Sequence, residues 1–428
     1  MRTVAAYTLG CKVNQYDTDG VLSLFAKRGF TVVPFTEKAD VYIINTCTVT
    51  AESDKKSRQM VRRAREKNLD GIVCVMGCYT QTSSEAVKEI GADIIVGTAG
   101  RDKIVDLVEA FARDKKQQVL VTEPDAFEDL PVTYHEKTRV YIKIEDGCEN
   151  FCAYCKIPYS RGRIRSRRPE SVIEEVTRLR DSGVREVVFT GIHVGFYGKD
   201  LPGWNLARIL RESLEIPGIR IRLSSLDPHE VDDEIIELLE HPRFCRHLHI
   251  PLQSGNDKIL KKMNRNYDTA YYRSIISRLK DYAPLGITTD VIVGFPGETE
   301  EDFRKTYEFV EEMGFTRLHV FPFSHRENTP AYYMPLQVPQ KEKARRVKEL
   351  IDLGASMMQS YHERQIGRTA EVVVEQETTL NGKRYFVGTS DDYIRVYIAE
   401  PCTGLAKVKL DQTLPEESGM LGTLLETV

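Results

Sequence analysis

Eight residues constrain this chain more than any other feature: Cys148-Glu149-Asn150-Phe151-Cys152-Ala153-Tyr154-Cys155, a C-x3-C-x2-C loop directly behind an apolar strand-like run. Three thiolates on one short loop can ligate three irons of a cubane, and no fourth cysteine lies nearby to close the site. An open metal corner suits chemistry on a cofactor or substrate, whereas closed sites are structural or carry electrons. The rival is zinc, which takes four Cys or His ligands in paired C-x2-C arrangements, and no second pair follows here.

The chain holds nine cysteines. It opens Met1-Arg2-Thr3-Val4 without a signal-peptide profile, and no apolar run is long enough to span a bilayer, so a cytoplasmic protein with no membrane partner is expected. Thiols in that compartment stay reduced, which points grouped cysteines to metal or catalysis rather than to disulfides. Outside the compact loop, Cys11, Cys47 and Cys78 each follow an expected strand, at 3–8, 40–45 and 71–76. In a parallel sheet those positions share the carboxyl edge, where ligand crevices form. From the residues alone they are either a convergent three-thiolate site or scattered buried cysteines. Cys74 sits inside Ile72-Val73-Cys74-Val75-Met76 and reads as core.

The pattern predicts an α/β chain in three parts. Residues 1–112 alternate short strands and helices, as a parallel sheet with flanking helices does. Residues 113–133 are charged and aperiodic, and read as a linker. Residues 134–364 carry six further βα units, at 140–145, 186–190, 219–224, 247–252, 288–293 and 317–321, which suits a partial (β/α)6 barrel with working loops at the strand ends. An amphipathic helix at 341–364 closes that part. Residues 366–428 shift to short strands and turns, the composition of a small β-barrel.

Net charge is −4, so any nucleic-acid contact has to come from local clusters. The helix expected at 53–68 holds seven basic and two acidic residues, including Lys55, Lys56, Arg58, Arg62 and Arg63. Phosphate contacts are the favoured reading for it. In the terminal barrel, Tyr393 and Arg395 belong to an interleaved aromatic and basic set that suits single-stranded RNA. Five arginines at 161–168 fit cluster compensation, phosphate binding or ion pairing equally. Histidines such as His193, His247 and His249 give no catalytic signal.

The compact loop, with Tyr154 before its last cysteine, resembles the signature of the radical S-adenosylmethionine (SAM) superfamily. That likeness implies a radical SAM core, a 4Fe–4S cluster on Cys148, Cys152 and Cys155, and SAM on its open iron. Segments around Gly191, Ser225, Gln253 and Gly294 look like the family's cofactor-binding strand ends. Here Thr190-Gly191-Ile192 stands where many members carry Gly-Gly-Glu, so no carboxylate is supplied at that place.

Over the whole chain, Leu9-Gly10-Cys11-Lys12-Val13-Asn14, Asn45-Thr46-Cys47-Thr48 and Gly77-Cys78-Tyr79 resemble the motifs of the methylthiotransferases, whose C-terminal barrel is the RNA-binding TRAM module. The resemblance implies an auxiliary 4Fe–4S cluster on Cys11, Cys47 and Cys78, with catalysis resting on cluster ligands alone. Its Lys-Val form of the first motif is similar to the branch acting on N6-threonylcarbamoyladenosine in tRNA, rather than the Gln-Met form of the isopentenyladenosine branch. Implied partners are a tRNA anticodon stem-loop and an electron donor such as flavodoxin or ferredoxin. Isopentenyladenosine in tRNA and a ribosomal-protein aspartate are the rival substrates, and a non-catalytic metal-containing RNA-binding protein the rival class.

Overall fold

Val41–Thr46 and Ile72–Gly77 are buried at every position, as central strands of a sheet covered on both faces must be. In the computed structural model, which describes residues 2–427 apart from 90, 131 and 133–137, they lie mid-sheet in a six-stranded parallel array. Its strands are β1 (Thr3–Thr8), β2 (Thr31–Val32), β3 (Val41–Thr46), β4 (Ile72–Gly77), β5 (Ile94–Val96) and β6 (Gln118–Leu120), in the order β2-β1-β3-β4-β5-β6. The strand order reverses between β1 and β3, which makes the crevice beyond their carboxyl ends the natural ligand site. Apolar clusters cover both faces, one around Phe25, Ile43 and Cys74, the other around Tyr42, Ile44 and Val75.

β6 lies within the segment that reads as a linker. It pairs with β5, and Leu130 beyond it is buried in the same core. Charged flanks hide a strand of only three residues at a sheet edge, where little apolar surface is needed. The expected boundary at 133–134 lies outside the described residues.

The next six parallel strands form two triplets. Arg139–Lys143, Glu186–Thr190 and Arg220–Leu223 make one, and His247–His249, Gly286–Val293 and Arg317–Pro322 the other. Bridges Ile221–Phe244 and Ser225–His249 join them into one curved wall, the partial barrel expected. Helix α1 (Lys12–Lys27) of the first sheet closes against the Arg139–Lys143 strand. The long helix Gln340–Arg364 packs on Arg317–Pro322 and leads into a closed barrel of five antiparallel and parallel strands, Thr369–Leu380, Lys383–Ser390, Arg395–Ile398, Gly404–Leu414 and Gly419–Thr427.

The terminal barrel sits on the base of the core. Glu186, wholly buried, holds Arg220 at 2.6 Å and Arg222 at 2.8 Å. Those guanidiniums donate onward to the backbone carbonyls of Glu371, Thr389, Ser390 and Asp391. Among the described residues, no helix is long and apolar enough to cross a membrane.

Candidate cluster and cofactor sites

Cys11 caps the start of α1 after β1, Cys47 follows β3, and Cys78 opens the short helix Cys78–Thr82 after β4. The sheet thus brings all three to its carboxyl edge, around the switch point. Gly10, at φ +101°, lets the chain pass close by: a Cβ there would stand 3.0 Å from Cys47 Sγ. Val49 N–H donates to Cys47 Sγ at 3.4 Å and Arg161 Nε to Cys78 Sγ at 3.2 Å. Asn14 braces the loops by donating to the carbonyls of Leu9 and Thr46. Cys74 is fully buried in the sheet core, as its apolar run requires.

The compact trio is braced in the same manner. Ile157 N–H donates to Cys155 Sγ at 3.4 Å, Arg265 Nη1 to Cys152 Sγ at 3.3 Å, and His193 Nδ1 stands 3.5 Å from Cys148 Sγ. Gly147, at φ +109°, lies so close beneath the Arg163 carbonyl that no side chain fits. N–H donors aimed at sulfur stabilise thiolates and the charge of a metal they hold. Burial pushes the thiols of Cys47 and Cys155 up to about 12. Their thiolate forms therefore call for a cation on the sulfurs.

Among the described residues, His249, Asp290 and His319 bring three possible ligand atoms within 4.8 Å of one another, and neither cysteine trio is so tight. Tetrahedral zinc, with Zn–S about 2.3 Å, sets its sulfurs roughly 3.8 Å apart. Neither trio is therefore gathered tightly enough for a single zinc.

His193 and Arg265 escape a reading by sequence because they reach the sulfurs from other βα loops. His193 follows Gly191, and its backbone N–H donates to Glu145 Oε2 at 2.7 Å. Its ring stacks on Phe196 and pairs with Glu230. Burial opposes charge on this imidazole, yet the hydrogen bonds to Cys148 and Glu230 prevail and raise it to about 10. Glu145 Oε1 is buried without a partner, and burial holds this carboxyl well above the usual range. It stands beside Gly191, where a Cβ would lie 2.6 Å from Glu145 Oε2. An orphaned carboxyl oxygen near the compact trio fits the ammonium end of a bound amino-acid cofactor. A cavity of about 450 Å3, lined in part by Asn150, Cys152, His193, Glu230 and Arg265, opens alongside.

The remaining expected cofactor contacts fall at strand ends. Tyr154 packs edge-on to Phe295 at 6.5 Å, Ser225 is exposed beside His249, Gln253 bridges to Val291 at φ +64°, and Gly294 N–H donates to Glu298 at 2.5 Å.

Three of the five arginines, Arg161, Arg165 and Arg167, meet acidic partners, while Arg163 and Arg168 are exposed and make no ion pair among the described residues. Arg161 is fully buried and reaches Asp17 at 3.0 Å, Asp146 at 3.1 Å and Asn14 at 2.5 Å. Arg101 and Lys143 also pair with Asp17. Burial works to raise the Asp17 carboxyl, but these three cations overcome it and hold it below the usual range. Arg167 pairs with Glu175 and with Asp129.

Helix α2 (Ala51–Lys67) buries Ser57, Met60, Val61 and Ala64, and Thr50 caps it by accepting from Ser53 N–H. Its cations divide by role. Arg65 donates to the carbonyls of Gly71 and Gly91 and pairs with Asp93, Lys67 donates to Thr36, and Arg58 to the Tyr79 hydroxyl. Lys55, Lys56, Arg62 and Arg63 are exposed and make no ion pair among the described residues. In the terminal barrel, Arg395 is exposed over the Tyr397 ring. Tyr393 instead stacks on His247 at 4.2 Å, so its ring is engaged at the junction with the core.

Comparison with known proteins agrees with this architecture. The radical SAM superfamily matches residues 142–310, and the uncharacterized protein family UPF0004 matches 3–97. The chain is 43% identical over 407 residues to the threonylcarbamoyladenosine tRNA methylthiotransferase MtaB of Bacillus subtilis, covering 92% of this chain and 90% of that one. It is 38% identical to the tRNA-2-methylthio-N(6)-dimethylallyladenosine synthase of Thermotoga petrophila, over 88% of this chain and 87% of that one. The solved radical SAM methyltransferase TsrM from Kitasatospora setae shares the fold at TM-score 0.57 and 16% identity, covering 89% of this chain and 78% of that one. Superfamily membership brings SAM and a 4Fe–4S cluster with it. By sequence and by architecture, the chain belongs to the radical SAM methylthiotransferases.

Proposed function

We propose that this chain adds a methylthio group to carbon 2 of N6-threonylcarbamoyladenosine next to the anticodon of tRNA, using two 4Fe–4S clusters. The observation that carries the reading is the convergence of Cys11, Cys47 and Cys78 beside Arg161, a residue from the flank of the compact cysteine loop. Two three-sulfur sites tied together by a buried side chain that leaves the flank of one and reaches a sulfur of the other suit a reaction that needs a radical source and a sulfur carrier together.

When bound, SAM and the clusters supply the radical and the sulfur that replace a C–H bond too weakly acidic for a base to open. The protein's part is positional. Cys148, Cys152 and Cys155 hold one cluster, and Cys11, Cys47 and Cys78 the other. His193, Arg265, Arg161 and two backbone N–H groups steady the sulfurs. Glu145 receives the amino end of SAM. Lys55, Lys56, Arg62 and Arg63 take the RNA phosphates on the helix that follows Cys47, and Arg395 adds a contact on the terminal barrel. The six-stranded sheet, the partial barrel and the terminal barrel serve as sulfur-carrying, radical-forming and RNA-holding units. Electrons come from a separate flavodoxin- or ferredoxin-type donor.

Mass analysis of tRNA nucleosides from cells with and without the protein tests this. The reading expects 2-methylthio-threonylcarbamoyladenosine to disappear on deletion in a host with no second enzyme for it. Unchanged levels would contradict it.

A further inference from the structure

Lys12 follows Cys11 directly and is the first residue of α1. One turn later the same helix turns Tyr16 into the core, where its hydroxyl donates to Glu175 at 3.1 Å. Residues four apart share a helix face, so Lys12 points the same way, toward the core strands. The charged groups acting on it there are Arg139, Glu186, Arg222 and Asp290.

Each of those neighbours is matched. Glu186 carries Arg220 and Arg222, Arg139 reaches Glu375 at 3.0 Å, and Asp290 lies between His249 at 3.3 Å and His319 at 3.1 Å. Lys12 has no carboxylate within ion-pair distance among the described residues. A half-buried ammonium left without an anion is costly, and an anionic ligand removes that cost. Asp290 is already engaged by both imidazoles and is not free to pair with Lys12.

Adenine geometry says where the anion comes from. N1 lies between C2 and C6, so a substituent on N6 that folds toward N1 stands beside the C2 edge. A group that reads this substituent must therefore sit close to the cluster that delivers sulfur to C2, and Lys12 adjoins one of that cluster's ligands. An isopentenyl group offers Lys12 nothing to pair with, whereas an amino-acid substituent ends in a carboxylate. We propose that Lys12 is a specificity-determining residue that pairs with the free carboxylate of an amino-acid-bearing N6 substituent. The inference rests on the substrate reading above.

The test uses the iron-loaded enzyme and three anticodon stem-loop RNAs: one with threonylcarbamoyladenosine, one with its threonine carboxylate converted to carboxamide, and one with isopentenyladenosine. Wild type is expected to show a KM about tenfold higher for the carboxamide than for the carboxylate, the loss of one charge-assisted pair. Lys12→Gln, checked for iron content, should raise the KM for the carboxylate RNA by about the same factor and no longer distinguish the two. Lys12→Arg should keep the preference. Equal KM values in wild type overturn the proposal whether or not the Gln variant loads its iron, and so does a preference that survives Lys12→Gln. Wild-type turnover of the isopentenyl RNA alone would overturn the substrate reading itself, and this assignment with it.

Discussion

Arg161 Nε lies 3.2 Å from Cys78 Sγ, so a side chain from the flank of one cysteine loop touches a sulfur of the other trio. The same guanidinium spans Asp17 on α1 and Asp146 on the core. The two halves of the site are therefore locked by one buried ion network rather than by a flexible hinge.

Breaking that network should cost stability. Arg161→Gln leaves Asp17 and Asp146 buried with less countercharge, and removing one partner of a buried pair typically costs about 3–5 kcal/mol. Chemical denaturation of variant and wild type measures this. Arg161→Lys keeps the charge but not the fan of donors, and should fall between them. A Gln variant as stable as wild type would show that the network does not hold the halves together.

On α2 the cations separate by substitution. Replacing Lys55, Lys56, Arg62 and Arg63 with Gln should weaken tRNA binding and flatten the salt dependence of log K by about 0.9 for each phosphate no longer neutralised. Arg65→Gln should instead lower stability by about 1–3 kcal/mol, because its bonds to Gly71, Gly91 and Asp93 disappear. Binding titrations at several salt concentrations, with denaturation alongside, separate the two effects.

His362 predicts a pH dependence at the junction with the terminal barrel. Burial lowers its imidazole from the ordinary 6.5 to about 4. Between those values the unfolded chain binds more protons than the folded one, so this contribution is fully present above pH 6.5 and is lost as pH falls toward about 4. Denaturation at pH 7.5 and pH 5 should show a larger loss in wild type than in His362→Gln, where that contribution is absent at both pH values. Equal losses would contradict it.

Much of the site was legible because its ligands obey local rules. Cys148, Cys152 and Cys155 share one loop, so spacing alone brings them together. Cys11, Cys47 and Cys78 each end a strand, and a parallel sheet turns that regularity into proximity. His193, Glu145 and Arg265 carried no such signal, since their roles arise only when separate βα loops meet. Short edge strands were missed for the same kind of reason. Gln118–Leu120 is three residues long between charged flanks, and pairing with its neighbour at the sheet edge rather than apolar patterning defines it. Tyr393 lies in the turn between Lys383–Ser390 and Arg395–Ile398, and the sequence does not reveal that His247 stacks on one face of its ring.

The central claim is that six cysteines form two separate open-cornered cluster sites. Iron and acid-labile sulfide counts on anaerobically reconstituted protein test it most directly. The account predicts about eight of each per chain in wild type, and about four in Cys11→Ala/Cys47→Ala/Cys78→Ala and in Cys148→Ala/Cys152→Ala/Cys155→Ala alike. Stoichiometric zinc in place of iron, or an unchanged count after loss of either trio, would contradict it.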